Sequence, residues 1–206
     1  MIRVTEVLNY FAEPWKLEWY AKNGKAYCNR VSKAAMKIGT RVDEIIKSCP
    51  THSEKWDVEW FTKKNPEEVR NCLTAYTKWE AVYKPKSITP CTRLFATIDG
   101  QEVSGEPDLL VDDVLVDIKC STKISPAYWV QVTMYRYLDH IKHADIAVPP
   151  ETFKFNGKVG ILRLDKQTGS YEYVVQDYDY DKVFVWCGLL KAYCYFKGDS
   201  DGGIDV

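Results

Sequence analysis

GEPDLLVDDVLVDIK, Gly105 to Lys119, decides the fold of this chain. Two apolar runs, Glu106–Val111 and Val114–Lys119, flank Asp112-Asp113, and an acidic pair between such runs predicts a two-residue hairpin turn. Val111 then pairs with Val114, and counting outward sets Asp108 opposite Asp117. Side chains alternate faces along a strand, so Asp108, Asp117 and Lys119 point to one side of the hairpin. Carboxylates facing each other across a ladder repel. A hard divalent cation between them removes the conflict, because such ions take oxygen ligands. Lys119 then lies beside the cation, where it can act on a water or a phosphate. This combination points to phosphodiester chemistry.

Working outward, Ser125-Pro126 starts a helix expected to reach about Ile141, with Trp129, Val132, Met134 or Tyr135, and Leu138 on its apolar face. Gln131 and Tyr135 stand at i, i+4 and share a face. Upstream, Cys91–Asp99 and Gln101–Val103 read as strands joined by an Asp99-Gly100 turn. They are expected to run on through Gly105 into the hairpin as a three-stranded meander. Residues 30–48 carry Ala34, Ala35, Ile38, Val42, Ile45 and Ile46 at helical spacing. Lys33, Lys37 and Arg41 form a basic stripe on another face of that helix; Gly39 interrupts it, and Asp43 and Glu44 follow.

Residues 3–24 read as two short helices broken near Pro14, the first capped by Thr5, with Trp15, Trp19 and Tyr20 packed on the core and a base-stacking platform as the alternative reading of that cluster. Asn65 and Pro66 open a helix to about Tyr83, with Val69, Leu73, Tyr76 and Trp79 or Glu80 inward. Residues 49–65 and 142–157 read as loops. Val159–Leu164 and Tyr171–Gln176 form a second hairpin, and Asp179–Lys197 a last helix through Val183, Trp186, Cys187, Leu190 and Cys194. The succession predicts an α/β domain with helices on the faces of a sheet. One domain spans 1–206: a helical part to about 88, a sheet core with C-terminal helices over about 89–198, and a frayed tail at 199–206.

The 206 residues are 46% hydrophobic and 28% charged, enough for one sizeable core. A net charge of −1 excludes a globally basic nucleic-acid surface, so any such binding must use local patches. The 7 cysteines are odd in number and scattered, with no C-x-x-C, which predicts free thiols in a reducing compartment rather than a zinc site. No secretory leader and no membrane-spanning apolar run are seen, so the expectation is a soluble, cytoplasmic protein, in the host cytoplasm if the origin is viral.

G-E-P-D at 105–108, D-I-K at 117–119 and Q-V-T-M-Y at 131–135 together resemble the PD-(D/E)xK nuclease superfamily, and more narrowly its RecB-like, phage-type exonuclease branch. The likeness covers about 90–140 well and extends weakly to G-T-R-V-D at 39–43. It implies a restriction-endonuclease-like fold, a mixed β-sheet core flanked by helices. It also implies a metal-dependent deoxyribonuclease, with an exonuclease in recombination, repair or viral genome processing as the leading reading. The alternatives are an endonuclease or flap nuclease, a non-catalytic nucleic-acid-binding module, and a structural subunit of a recombination assembly.

In this family Asp108, Asp117 and the backbone carbonyl of Ile118 would bind Mg²⁺ or Mn²⁺, while Lys119 orients or deprotonates a water or offsets charge. Gln131 and Tyr135 would hold the DNA backbone or position Lys119. Where relatives carry a metal-binding histidine on the preceding helix, this chain has Asp43, with Glu44 beside it as the alternative ligand. Glu80 or Glu106 would supply a further acid. Lys33, Lys37, Arg41, Lys123 and Arg136 would track phosphates, giving sequence-nonspecific DNA binding. Only Cys187 and Cys194 lie late in the chain, so no iron–sulfur cluster is expected. A single-strand annealing or other recombination protein is the implied protein partner, and oligomeric state stays open.

Overall fold

The computed structural model describes residues 1–11, 14–51, 56, 65–141 and 157–201. The architecture is mixed α/β, with two mixed sheets flanked by helices. In the hairpin that opens the sequence reading, β5 (Leu109–Val111) pairs antiparallel with β6 (Val114–Lys119), and Val111 faces Val114. Extending that register by one residue sets Asp108 opposite Asp117. Asp112 takes the left-handed conformation (φ 53°), which Asp tolerates because its short side chain can bond the backbone locally. Its carboxylate accepts the backbone N–H groups of Lys86 and Ser87, both at 2.9 Å, fastening the turn to the segment that leads into β2 (Ile88–Pro90).

The first strand of the hairpin is shorter than expected. Pro107 has no N–H to give a ladder, and the Asp108 carboxylate, not its backbone, takes the Ile118 N–H at 2.6 Å. This break also overturns the three-stranded meander. β3 (Leu94–Ile98) and β4 (Gln101–Gly105) form a hairpin across Asp99 (φ 49°) and Gly100 (φ 72°), as read, but they belong to a separate three-stranded sheet, with β1 (Ile2–Arg3) parallel to β4. The chain changes sheets at Glu106–Asp108. The N-terminal part is therefore not purely helical.

The five-stranded sheet runs β2-β5-β6-β7-β8, where β7 is Lys158–Leu164 and β8 is Tyr171–Asp177. Only β6 and β7 are parallel, joined by a crossover that contains α5 (Pro126–Ile141). The two faces of β6 go to different layers. Val114 and Val116 pack with α3 (Lys25–Ser48) and α4 (Glu67–Tyr83) in a core around Ile46, Tyr76 and Trp79. Leu115 turns to the opposite layer of α1 (Val4–Tyr10), α5 and α6 (Tyr180–Asp201), around Leu138 and Trp186. Asp117 and Lys119 have the parity of Leu115, so they point toward α5. This parity places the site.

α2 (Pro14–Asn23) follows α1 as expected. Four helix boundaries differ from the sequence reading. Arg3 precedes α1 with no side-chain cap, so Thr5 lies inside the helix instead of capping it. α3 begins at Lys25, directly after Gly24 (φ 80°), and α6 reaches Asp201, past the start of the expected tail. Pro66, not Asn65, stands at the start of α4. Glu80 stays partly exposed while Trp79 is buried. Most of 49–65, nearly all of 142–157 and the last tail residues, with His52, lie outside the described residues. All seven cysteines are free thiols. Among the described residues no helix is long and apolar enough to cross a membrane.

Candidate active site

A cleft of about 770 Å³ opens between α3 and α5 above the ends of β5 and β6, and Asp43, Asp108, Asp117, Lys119 and Gln131 line it. Lys119 Nζ lies 2.5 Å from Asp117 Oδ2 and 3.1 Å from Gln131 Oε1. Gln131 turns its amide N–H groups to Asp117 Oδ1 (3.2 Å) and to the Tyr135 hydroxyl oxygen (2.8 Å). One amide thus holds the acid and the lysine of D-I-K together from the facing helix. The i, i+4 spacing of Gln131 and Tyr135 makes this contact possible. The Tyr128 ring lies under the Lys119 ammonium, 4.9 Å from centroid to nitrogen, a cation–π contact.

Gly105 belongs to the same construction. A Cβ there would meet Tyr135 Cδ1 at 2.6 Å, so the first residue of G-E-P-D is a glycine because the Tyr135 ring lies against its backbone.

The third wall is α3. Asp43 faces the site, and Lys47, one turn on, places Nζ 3.1 Å from Asp43 Oδ1, 3.2 Å from Asp108 Oδ1 and 3.8 Å from Glu106 Oε1. Glu44 points away and pairs with Arg41 at 3.3 Å. Of the two acids considered upstream, Glu106 approaches the site through Lys47 while its other oxygen is held by Arg93 at 2.8 Å; Glu80, on α4, does not line the cleft. Sequence reasoning missed Lys47. Its signal was the i, i+4 acid–base spacing from Asp43, which ordinarily marks a solvated helix pair.

The electrostatics are those of crowded acids. Burial, then the neighbouring Asp108 carboxylate, pushes the Asp43 carboxyl up to about 6 despite Lys47. Burial also raises Asp117 to about 6, with Asp108 adding to the rise and Lys119 opposing it. Burial alone would lower the Lys119 and Lys47 ammoniums; the carboxylates around them outweigh it, and both are raised. Asp43 Oδ1 and Asp117 Oδ2 are sealed from water and accept no aligned hydrogen bond, though each has a lysine ammonium beside it.

These oxygens suit a hard cation: they are carboxylates, desolvated and lacking hydrogen bonds. Among the described residues, no three His, Cys, Asp or Glu side chains are yet gathered about one cation position. Ammonium groups stand in the gaps.

The basic residues are placed less uniformly. The cleft face of α3 is Ser32, Ala35, Met36, Gly39, Thr40 and Asp43, a stripe of mostly small side chains. Lys33 and Lys37 lie exposed on another face, along a shallow groove with Arg30. Arg41 bonds Asn65 Oδ1 at 3.1 Å as well as Glu44. Lys123 is exposed, and Arg136 pairs with Asp139 at 3.4 Å; neither lines the cleft. Trp19, read as a core aromatic, lines the cleft's outer end instead, and Tyr20 donates to Asn29 at 2.9 Å. The Trp15 side chain lies outside the described residues.

No family profile and no curated protein matches the chain. Among solved structures, the chain is similar to the crystal structure of SSO0001, with 11% identity over 92% of this chain and 72% of that one, at a TM-score of 0.45. It is also similar to an alkaline exonuclease (LHK-Exo) from Laribacter hongkongensis, with 16% identity over 62% of this chain and 69% of that one, at a TM-score of 0.36.

Proposed function

We propose that this chain is a divalent-cation-dependent nuclease that hydrolyses DNA phosphodiester bonds, with an exonuclease in recombination, repair or viral genome processing as the specific reading. One observation carries it: Asp108, Asp117 and Lys119 converge on one face of the hairpin, and Gln131 spans the acid and the lysine from α5. A solvated surface pair would not be buried, bridged and backed by Tyr135. Asp43, Asp108, Asp117 and the Ile118 carbonyl would hold Mg²⁺ or Mn²⁺. Such an ion polarises a phosphate and makes a bound water a better nucleophile.

The protein's own part is positional and electrostatic. Lys119 directs N–H groups at acceptors and, with a substrate phosphate present, offsets the charge that grows as water oxygen bonds to phosphorus and the leaving oxygen departs with a proton. Gln131 fixes where that ammonium points, and Tyr135 fixes Gln131. No base-reading motif is seen in the sequence, in keeping with sequence-nonspecific action on DNA.

The test compares wild type with Lys119→Ala on end-labelled linear DNA and closed circular DNA, with Mg²⁺ or Mn²⁺. Loss of linear DNA alone, abolished in the variant, is the expected result. Nicked circles move the reading to an endonuclease, and DNA binding without cleavage under either metal refutes the enzyme.

A further inference from the structure

Lys47 pairs with two of the cleft's carboxylates, Asp43 and Asp108, and the nuclease chemistry above gives it no task. Its ammonium lies 3.1 Å from Asp43 and 3.2 Å from Asp108, with Glu106 at 3.8 Å, so it occupies the space between the acids. Its side chain is only 19% exposed, and it comes from the last turn of α3, where the helix dipole favours a positive charge. The Asp43 and Asp108 oxygens that a cation would need are the ones it engages. Lys119 does not share this position, since Asp117 and Gln131 hold it on the α5 side.

We infer that Lys47 is a built-in occupant of the cation site, a placeholder ammonium that neutralises Asp43 and Asp108 in the free protein and must be displaced for a divalent ion to bind. The inference rests on the cation-dependent reading proposed above. It assigns Lys47 a role opposite to that of Lys119: Lys119 serves the site when it is loaded, whereas Lys47 stabilises it empty and sets how much cation is needed to load it. A structural ion pair and a placeholder differ in one respect. Removing a structural pair only weakens the fold, while removing a placeholder frees two desolvated carboxylates for the incoming ion.

The experiment measures Mn²⁺ binding without DNA, by titration calorimetry and by the EPR signal of free Mn²⁺, for wild type, Lys47→Met and Lys47→Arg. Lys47→Met is expected to bind Mn²⁺ roughly tenfold tighter, a change of about 1.4 kcal/mol, and to gain more melting temperature from the ion than wild type does. Lys47→Arg keeps the positive charge and is expected to bind no tighter than wild type. If Lys47→Met misfolds, Lys47→Gln serves in its place, with the same outcome expected. Equal or weaker binding by the neutral variants, with wild type binding Mn²⁺ normally, overturns the placeholder and leaves the nuclease reading intact. No Mn²⁺ binding by any of the proteins overturns the cation reading and the placeholder together.

Discussion

Replacing Gly105 with alanine tests whether the site is held from behind by the packing described here. The added Cβ would stand 2.6 and 2.7 Å from Tyr135 Cδ1 and Cε1 and 3.0 Å from Leu138 Cδ1. Both side chains are buried, so neither can move without its neighbours. Restoring an ordinary contact of 3.4 Å needs about 0.8 Å of ring movement, the difference between 3.4 and 2.6 Å. Overpacking of this kind costs about 1–3 kcal/mol, and replacing a strand glycine returns roughly 0.5–1 kcal/mol. The net is a loss of about 1–2 kcal/mol, or roughly 0.5–1 M in the urea midpoint at a slope near 2 kcal/mol/M.

The same shift carries the Tyr135 hydroxyl away from Gln131 Nε2, now 2.8 Å distant, and loosens the amide that holds Lys119. Cleavage should therefore fall along with stability. A double-mutant cycle isolates the clash. In a Tyr135→Ala background, Gly105→Ala is expected to be neutral or slightly stabilising, giving a coupling of roughly 2 kcal/mol. An equal cost of Gly105→Ala in both backgrounds, or no cost in wild type, refutes the close approach as the reason for the glycine.

Four further outcomes follow from the geometry. Asp43→Asn is expected to weaken Mn²⁺ binding roughly tenfold or more, while Glu44→Gln, remote from the cleft, leaves it unchanged; calorimetry distinguishes them. The same Asp43→Asn should stabilise the metal-free protein. The Asp43 pKa rises from 3.8 to about 6, and its side chain is 36% exposed, so the roughly 3 kcal/mol that such a shift represents is discounted to about 1 kcal/mol. Because the folded pKa is the higher, the penalty is absent below about pH 4, grows as pH rises to about 6 and is complete above that; a wild-type advantage at pH 7 in urea titrations would contradict it. Ca²⁺ should raise affinity for DNA in fluorescence anisotropy, since an ion that engages the carboxylates leaves the lysines available to phosphate, and by reciprocity DNA should tighten Ca²⁺. DNA affinity unchanged by Ca²⁺ would argue against shared carboxylates. In the β7–β8 loop, N–H groups of Gln167 and Thr168, with Arg163, hold the Asp165 carboxyl below its ordinary range. Asp165→Ala should cost about 1–2 kcal/mol at pH 7, with the difference lost as pH falls below the lowered pKa, as acid titration of both proteins would show.

The hairpin was legible because two constraints agreed on it. Period-2 alternation fixed the face of every residue from Leu109 to Lys119, and the Asp112-Asp113 turn fixed the register. Gln131 and Tyr135 were legible for a similar reason, since i, i+4 spacing leaves little freedom in which side chains share a face. Elements too short to show a period were not legible. β1 has 2 residues and β2 has 3, and each exists because a neighbouring strand, β4 for the first and β5 for the second, supplies the ladder. The change of sheet at Glu106–Asp108 was hidden by a continuous reading of apolar runs, although Pro107 marked the point where a ladder donor is missing.

The orientation of α3 shows why the site's charges were harder to read than its acids. A helical period divides residues among faces but does not say which face a neighbouring element takes. The basic stripe of Lys33 and Lys37 looked like the natural wall of a phosphate-binding cleft, yet the wall is Ser32, Ala35, Met36, Gly39, Thr40 and Asp43, mostly small side chains. The positive charge beside the acids comes instead from Lys47 and Lys119, each engaged by carboxylates. In sequence Lys47 is an ordinary i, i+4 partner of Asp43. It becomes part of the site only because the Ile118 N–H holds the Asp108 carboxylate beside it, and Asp108 lies 61 residues farther along the chain.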